Sequence, residues 1–337
     1  MIICRTPFRT SFFGGGTDYP VWFEEHGGAV LTAAINRYCY ISCRYLPPFF
    51  EHKSRVVWSQ IERVTDHEAI QHPVIRAVLD YLGIEGGVEI HHQGDLPARS
   101  GLGSSSSFTV GLLHALYALK GKMIGHADLA DQAIHVERDV LKEHVGVQDQ
   151  IQTAFGGINR IDIRTDHSFR VEPVIMSAER RDELQSHLVL FFTGLSRSAS
   201  DIAKQKIAKI PSHKDDLHAM RAMVDEGLGI LTNGSDLADF GRLLDEAWAR
   251  KRKLTEGLQP PHIDDIYRKA RAAGALGGKL LGAGGGGFML FFAPPEKHAA
   301  IAAGLAPLLA IPVGFDFGGS QIIFYEREDE APRPSGQ

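Results

Sequence analysis

The chain has 337 residues, of which 44% are hydrophobic and 23% charged, a composition typical of a globular protein that is long enough for two domains. The net charge of −5 and the isoelectric point near 6.3 give no reason to expect a nucleic-acid partner. No apolar run is long enough to cross a bilayer, and the N-terminus carries no signal-peptide pattern. Cys4, Cys39 and Cys43 make no disulfide framework, so we expect a cytoplasmic protein without a membrane partner.

Short strands and helices alternate in the first half of the chain. The spacing of apolar, β-branched and aromatic residues predicts strands over 1–5, 29–46 and 88–92 and helices over 21–25, 74–82 and 127–144. Pro7 is expected to end the first strand, and Phe155 to Gly157 lead into a further pair of strands. A charged run at 179–183 indicates a domain boundary, so the first domain is predicted to cover residues 1–185.

The second half of the chain is predicted to be mostly helical. Helices are expected over 200–273, and strands over 188–192, 288–292, 312–317 and 321–325. These elements predict a second domain over residues 186–327, followed by a charged, proline-rich and disordered tail over 328–337. Strands mix with helix pairs without regular βαβ spacing, which favours an α+β fold over a doubly wound parallel sheet.

A glycine- and serine-rich stretch at residues 97–107, here called the cradle, leads into an apolar helix. Gly101 and Gly103 allow the backbone to approach a ligand closely, and the serines at 104–107 fall on the first helical turn. Such a helix end carries partial positive charge and suits a phosphate. A serine-capped helix without a ligand is the alternative, since serine is a common N-cap. We interpret the cradle as a binding site for nucleotide phosphates.

Two further glycine clusters lie at residues 14–18 and 282–287. In the first, Gly14, Gly15 and Gly16 precede Thr17 and Asp18, and Asp18 could equally cap the following helix. The second cluster has the form G-x-G-x-x-G, but a strand follows it where a dinucleotide site needs a helix. No Walker motif occurs in the sequence. We expect the second cluster to be a tight connection beside the active site, with a plain hairpin as the alternative.

Two carboxylates follow the cradle in sequence. Glu137 falls in a predicted helix, and Asp149 lies past Gly146. A kinase uses a carboxylate to hold Mg²⁺ and often a base near the acceptor hydroxyl. Glu137 could hold the metal and Asp149 could be the base. Spacing alone leaves two solvated surface residues as the alternative.

Three stretches, 7–18, the cradle and 279–288, resemble in order and content the motifs of the GHMP kinases (galacto-, homoserine, mevalonate and phosphomevalonate kinases). The cradle matches that family's P-x-x-x-G-L-G-S-S pattern. The resemblance spans Ile2 to Tyr325. It implies an N-terminal, nucleotide-binding ribosomal S5 domain 2-like domain and a C-terminal ferredoxin-like domain, with the active site between them. It also implies ATP and Mg²⁺ as cofactors.

The resemblance also implies a role for each candidate residue. Ser105 and Glu137 correspond to the Mg²⁺ ligands, Asp149 to the catalytic aspartate, Arg9 to the arginine that borders it, and Asp18 to an aspartate that binds sugar hydroxyls. The residues implied to bind ATP are Pro97, Ser100, Gly101, Leu102, Gly103, Ser104, Ser105 and Ser106. The residues implied to bind the substrate are Gly15, Gly16, Thr17, Asp18, Gly146, Gly284 and Gly285.

The substrate is indicated by a departure from galactokinases. Those enzymes carry Gly-Glu-His-Thr-Asp where this chain has residues 14–18, which argues against galactose. The chain resembles the branch with D-glycero-D-manno-heptose 7-phosphate kinases and fucose kinases, and fucose kinases are usually parts of longer chains. We therefore expect phosphorylation of the anomeric (C1) hydroxyl of the heptose 7-phosphate to the 1,7-bisphosphate, for nucleotide-activated heptose synthesis. A kinase of a free sugar such as L-fucose and a non-catalytic sugar-sensing relative remain alternatives.

A sugar phosphate needs cations for its own phosphate group. Arg197 and Lys204 are the candidates, with solvated surface positions as the alternative. The sequence does not fix the oligomeric state, and a homodimer is compatible with it.

Overall fold

The computed structural model describes residues 1–47, 49–98, 100–194, 199–254, 260, 262–282 and 284–326, with the backbone alone for residues 199–201. In these ranges the chain forms two β-sheets and the helices that cover them. None of the helices in these ranges is long and apolar enough to span a membrane.

The elements are numbered in chain order. The strands are β1 (Ile2–Phe13), β2 (Gly28–Tyr45), β3 (Ser54–Val57), β4 (Ile61–Val64), β5 (Val88–Gly94), β6 (Ile158–Ile163), β7 (Phe169–Pro173), β8 (Leu188–Phe192), β9 (Gly277–Leu280), β10 (Phe288–Phe292), β11 (Ala310–Pro312) and β12 (Gln321–Tyr325). The α-helices are α1 (Pro20–His26), α2 (Pro73–Tyr81), α3 (Ser104–Leu119), α4 (His126–His135), α5 (Gln148–Phe155), α6 (Ala178–Ser186), α7 (Ala199–Lys209), α8 (Lys214–Thr232), α9 (Ala238–Leu254), α10 (His262–Ala272) and α11 (His298–Gly304).

The first sheet is built around the long antiparallel pair of β1 and β2. Over the described chain it has eight strands in the order β12-β1-β2-β5-β3-β4, and β6 pairs with both β2 and β7. The pair of β3 and β5 is parallel, whereas the other pairs are antiparallel. The last strand, β12, lies within the range 186–327 that was predicted to form the second domain, but it pairs with β1 and is part of the first sheet.

The second sheet has the ferredoxin-like arrangement that was expected. Its strand order is β11-β8-β10-β9, with antiparallel pairs throughout. Helices α7 to α10 lie between β8 and β9 in the chain, and α11 lies between β10 and β11. Strands and helices therefore combine as an α+β fold, as the sequence predicts.

A single hydrophobic cluster joins the two sheets. The ring of Phe240 on α9 lies 5.3 Å from that of Phe12, 5.0 Å from that of Phe13 and 5.8 Å from that of Phe292, measured between centroids. All four rings are buried and belong to one core cluster. Because aromatic pairs at these distances pack favourably, the end of β1 is fixed against the second sheet, which positions the residues between them.

Several sequence-based predictions of elements were wrong. β1 continues past Pro7, because a register shift between Pro7 and Phe8 places the residue without an N–H at an irregularity of the ladder. The helix predicted over 127–144 ends at His135 and gives way to a π-helical turn, Val136–Val140. The strand predicted over 312–317 is replaced by β11, and β3, β4 and β9 were not predicted.

Candidate active site

A cavity of about 740 Å³ lies between the two sheets. Its walls include β1 and α5 from the first sheet and its helices, and α7, α9 and β9 from the second half of the chain. A cavity of this size suits small-molecule ligands. The cavity is therefore the candidate active site, and its parts are described in turn.

The cradle forms one wall of the cavity. Helix α3 begins at Ser104 after Gly103, whose φ of 72° is left-handed. Ser104, Ser105 and Ser106 line the cavity, whereas Ser107 donates a hydrogen bond of 2.7 Å to the carbonyl oxygen of Pro7. Ser107 thus differs in position from the three serines before it, and the first turn of α3 lies at this wall of the cavity.

Not every residue expected at the cradle reaches the cavity. Gly101 and Gly103 line it, but Pro97 is exposed and outside it, and Ser100 and Leu102 are buried in the protein. Leu102 accepts a backbone hydrogen bond from Arg9, and Ser100 accepts one from Phe288. Pro97, Ser100 and Leu102 therefore shape the cradle from outside the cavity.

The second glycine cluster packs against the cradle as the connection between β9 and β10. A Cβ on Gly287 would lie 2.1 Å from the carbonyl oxygen of Ser100, and Gly287 has a φ of 107°, so only glycine fits there. Gly282 and Gly286 line the cavity, whereas Gly284 and Gly285 are buried and do not. The cluster borders the site as predicted, through different glycines from those expected.

Arg9 and Asp149 form a bidentate ion pair beside the cradle. Arg9 donates from Nε to Asp149 Oδ1 at 2.7 Å and from Nη2 to Asp149 Oδ2 at 2.6 Å. Arg9 is 4% exposed and Asp149 is 26% exposed. Charge-assisted, bidentate pairs of this kind fix the orientation of a carboxylate. The pair that the resemblance implied is therefore formed, with the carboxylate accessible from the cavity.

Glu137 lies on the π-helical turn directly behind the cradle. Its side chain is fully buried, and its Oε2 accepts hydrogen bonds from Ser106 at 3.0 Å and from Gln150. Its Oε1 has no partner in hydrogen-bond geometry, and the nearby Thr109 hydroxyl partly offsets the effect of burial on the pKa of the carboxyl. Burial raises the pKa of this carboxyl to about 7. An orphaned buried carboxylate oxygen beside serine hydroxyls has the oxygen chemistry that Mg²⁺ prefers, so these residues fit a divalent cation.

The Gly14–Asp18 loop brings one carboxylate to the cavity. Asp18 accepts hydrogen bonds from the Gly16 N–H at 2.8 Å and from Gln148 Nε2 at 2.9 Å. Asp18, Gly15 and Gly146 line the cavity, and a Cβ on Gly146 would lie 1.9 Å from Asp18 Oδ2. Thr17 does not line it, because its hydroxyl lies within 2.9 Å of the carbonyl oxygens of Gly14 and Ala29 and holds the loop together.

Polar groups that the sequence did not indicate complete this part of the cavity. Ser11 and Gln148 line it, and the buried Ser11 Oγ and Gln148 Oε1 have no hydrogen-bond partner. Buried polar atoms of this kind are normally satisfied. Together with Asp18 they form a set of polar atoms suited to the hydroxyl groups of a ligand. Gln148 directly precedes Asp149, which was the signal that could have found it.

Three buried lysines face the same region. Lys206, Lys251 and Lys279 line the cavity and are 3%, 5% and 3% exposed. Lys204, which was expected to bind a substrate phosphate, is exposed and does not line the cavity. Two residues of α-helix correspond to a turn of about 200°, so α7 directs Lys206 inward and Lys204 outward. Arg197 lies outside the described residues.

The opposite end of the cavity is apolar and aromatic. The ring of His72 lies 4.9 Å from that of Trp58 and 4.8 Å from that of Phe108, and His92 lies 4.9 Å from Phe108. Burial lowers the pKa of His92 to about 4, so its ring is neutral at pH 7. Trp58 is held by a hydrogen bond of 2.8 Å to Glu62. These residues form a wall suited to a flat, uncharged ring.

Comparisons with known proteins identify the family of the chain. The family model "GHMP kinases N terminal domain" matches residues 69–157, and "GHMP kinases C terminal" matches residues 221–305. The D-glycero-alpha-D-manno-heptose 7-phosphate kinase of Campylobacter jejuni is 30% identical over 297 residues, which cover 83% of this chain and 86% of that one. The L-fucokinase/L-fucose-1-P guanylyltransferase of Bacteroides fragilis is 25% identical over 321 residues, which cover 83% of this chain and 33% of that one.

Solved structures show the same fold. The crystal structure of a D-glycero-D-manno-heptose 1-phosphate kinase from Bacteroides thetaiotaomicron matches with a TM-score of 0.80 at 24% identity, covering 97% of this chain and all of that one. Lactococcus lactis galactokinase complexed with galactose matches with a TM-score of 0.74 at 18% identity, covering 95% of this chain and 94% of that one. The chain belongs to the GHMP kinases and is a phosphotransferase with an alcohol group as acceptor.

Proposed function

We propose that this chain transfers the γ-phosphoryl group of ATP to the anomeric hydroxyl of D-glycero-D-manno-heptose 7-phosphate and forms the 1,7-bisphosphate. The observation that carries the proposal is the Asp149 carboxylate, held by Arg9 at the junction of the cradle and the polar part of the cavity. The 30% identity with the Campylobacter jejuni kinase supports the choice of acceptor.

The proposal places ATP in the cavity in a single orientation. The adenine would stack in the aromatic wall at Trp58, His72 and Phe108, where burial favours an uncharged ring. The phosphates would then extend over the first turn of α3, whose N–H groups and serine hydroxyls supply donors. This orientation directs the γ-phosphate away from the aromatic wall and toward Asp149.

The acceptor sugar would occupy the polar part of the cavity. Asp18, Ser11 and Gln148 offer hydrogen-bonding atoms for its hydroxyl groups. As the oxygen of the sugar hydroxyl attacks the γ-phosphorus, Asp149 would accept the proton of that hydroxyl. Arg9 would hold the carboxylate in the orientation that this proton transfer needs. The transfer is direct, so most of the catalysis comes from positioning and electrostatics.

Glu137 and Ser105 are the residues that would hold Mg²⁺. Glu137 offers its unpartnered Oε1, and Ser105 is exposed and lines the cavity. When bound, the metal neutralises charge on the transferring phosphates. Ser106 donates to Glu137 and orients it, so the two neighbouring serines have different roles in the proposal.

The test combines a substrate screen with a variant. The purified protein is offered ATP, Mg²⁺ and either the heptose 7-phosphate, the unphosphorylated heptose or L-fucose, and NMR of the product locates the new phosphate. We expect a C1 phosphate on the heptose 7-phosphate, and Asp149→Asn should lower kcat by at least about 10². Faster turnover of L-fucose than of the heptose 7-phosphate would contradict the proposed acceptor. ATP binding without turnover of any sugar would favour a non-catalytic, sugar-sensing protein.

A further inference from the structure

We propose that Lys206, Lys251 and Lys279, here called the lysine pocket, bind the non-reacting phosphate of a phosphorylated sugar acceptor. The proposal rests on the proposed function in one respect, namely that the phosphate group belongs to the sugar acceptor. The three lysines come from α7, α9 and β9, and all three line the cavity. Neither the family comparisons nor the sequence motifs assign a role to them.

Lys206 gives the clearest indication of a missing anion. Its side chain is 3% exposed, yet among the described residues its Nζ makes no hydrogen bond or ion pair. The amino group lies over the ring of Tyr19, with 5.1 Å between Nζ and the ring centroid. A buried ammonium group without a hydrogen-bond acceptor is costly. A ligand that brings anionic oxygens would remove that cost.

Lys251 and Lys279 are held in place by backbone oxygens. Lys251 Nζ donates to the carbonyl oxygens of Leu280 at 2.7 Å and Gly282 at 2.8 Å. Lys279 Nζ donates to the carbonyl oxygen of Phe12 at 2.7 Å. These bonds fix the two side-chain amino groups at the cavity wall. A phosphate can therefore bind to positioned cations with little loss of side-chain freedom.

Basic side chains outnumber carboxylates at this end of the cavity. The lysine pocket and Arg9 supply four basic side chains, the carboxylates of Asp18 and Asp149 act on them, and burial lowers the pKa of each of the three lysines. Asp149 already accepts both of its strong hydrogen bonds from Arg9. A phosphate group, which carries a charge near −2 at pH 7, would favour the charged form of these buried lysines.

The location favours the acceptor's phosphate over those of ATP. Lys206 lies beside the Gly14–Asp18 loop, because a Cβ on Gly16 would be 3.8 Å from its Nζ. Lys279 is bonded to Phe12 near the end of β1, which leads into the same loop. This loop carries Asp18, and so it belongs to the part of the cavity assigned to the sugar. The nucleotide's phosphates are assigned to the first turn of α3.

The test compares phosphorylated and unphosphorylated acceptors in matched variants. Lys206→Met is compared with Lys204→Met, which removes an exposed charge from the same helix. For Lys206→Met we expect the KM of the heptose 7-phosphate to rise about tenfold or more, because one charge-assisted hydrogen bond to the phosphate is lost. The KM values of ATP and of the unphosphorylated heptose should stay within about twofold, and Lys204→Met should behave as the wild type.

Two outcomes would overturn the lysine pocket. One is that Lys206→Met raises the KM of the phosphorylated and the unphosphorylated heptose equally. The other is that it raises only the KM of ATP. A protein that phosphorylates no heptose would contradict the proposed function, but the pocket is then still tested by calorimetry with inorganic phosphate in saturating ADP. Phosphate binding that is weakened in Lys206→Met and kept in Lys204→Met supports the pocket, and equal binding by the two variants contradicts it.

Discussion

Arg9 binds both carboxylate oxygens of Asp149 and, through Nη1, also donates a hydrogen bond of 2.7 Å to the carbonyl oxygen of Gly101. One guanidinium group thus connects β1, the start of α5 and the cradle. Because the guanidinium is planar and its donors form a rigid fork, the position of the proposed base is tied to the position of the phosphate site. In the proposed reaction, Arg9 would therefore act mainly by positioning Asp149.

Replacing Arg9 by lysine tests this positioning role. Arg9→Lys keeps the charge but loses the bidentate geometry, so we expect kcat to fall about tenfold to a hundredfold. If Arg9 acts through Asp149, the same change should cost little further activity in the Asp149→Asn background. Steady-state kinetics of the two single variants and the double variant measure this coupling. Fully additive losses in log kcat would contradict it.

Gly146 tests the role assigned to Asp18. In Gly146→Ala the added methyl group would lie 1.9 Å from Asp18 Oδ2 and displace that carboxylate. We expect the KM of the sugar to rise about tenfold, because the displaced carboxylate loses one or two hydrogen bonds to the sugar. The KM of ATP should stay unchanged. Gly229→Ala on α8 is the control, since a Cβ there meets only Asn233 Nδ2 at 3.8 Å. An equal effect on both substrates would show that Gly146 supports the fold instead.

Much of the fold could be predicted because its signals are local, whereas the Arg9–Asp149 pair was expected only from the resemblance to the GHMP kinases. The cradle, β2, β8, β10, β12 and α3 each follow from a continuous stretch with a clear spacing of glycines or apolar residues. β3, β4 and β9 were missed because each has four residues, and that length carries too little periodicity. Their stability comes from pairing with neighbouring strands, which a single stretch does not reveal.

The lysine pocket could not be predicted from the sequence for a different reason. Its members lie on three elements that meet only in the folded chain, and isolated lysines are normally solvated. Lys204 and Lys206 differ in nothing that the sequence displays except their phase on α7. The π-helical turn that carries Glu137 was likewise hidden in a pattern that reads as continuous helix.

As the proposed metal ligand, Glu137 would link metal binding to the stability of the protein. Burial raises the pKa of its carboxyl to about 7 from 4.5, so its stabilising contribution is present below about pH 4.5 and is lost as the pH rises through 7. We expect metal-free Glu137→Gln to be about 1–3 kcal/mol more stable than the wild type at pH 8. Adding Mg²⁺ with ADP should raise the Tm of the wild type and have a much smaller effect on the variant. An equal rise in both would contradict the assignment of Glu137 to the metal.

The lysine pocket predicts how acceptor binding depends on pH. Burial, together with the charges of Lys206 and Arg9, lowers the pKa of Lys279 to about 7, and Asp18 opposes this shift. Lys251 lies close enough to Lys279 to feel its charge, and burial together with that charge lowers the pKa of Lys251 well below the ordinary lysine value. A lysine with a lowered pKa loses its charge as the pH rises, so Lys279 is progressively neutral above pH 7. A bound phosphate dianion would favour the charged form and take up a proton there.

We therefore expect the KM of the heptose 7-phosphate to rise about tenfold between pH 7 and pH 9, since one cation is lost from the pocket. The KM of the unphosphorylated heptose should stay nearly constant over the same interval. Calorimetry in buffers of different ionisation enthalpy should show proton uptake when the phosphorylated sugar binds at pH 8. A KM that is independent of pH for the phosphorylated acceptor, with no proton uptake, would mean that the phosphate does not contact Lys279.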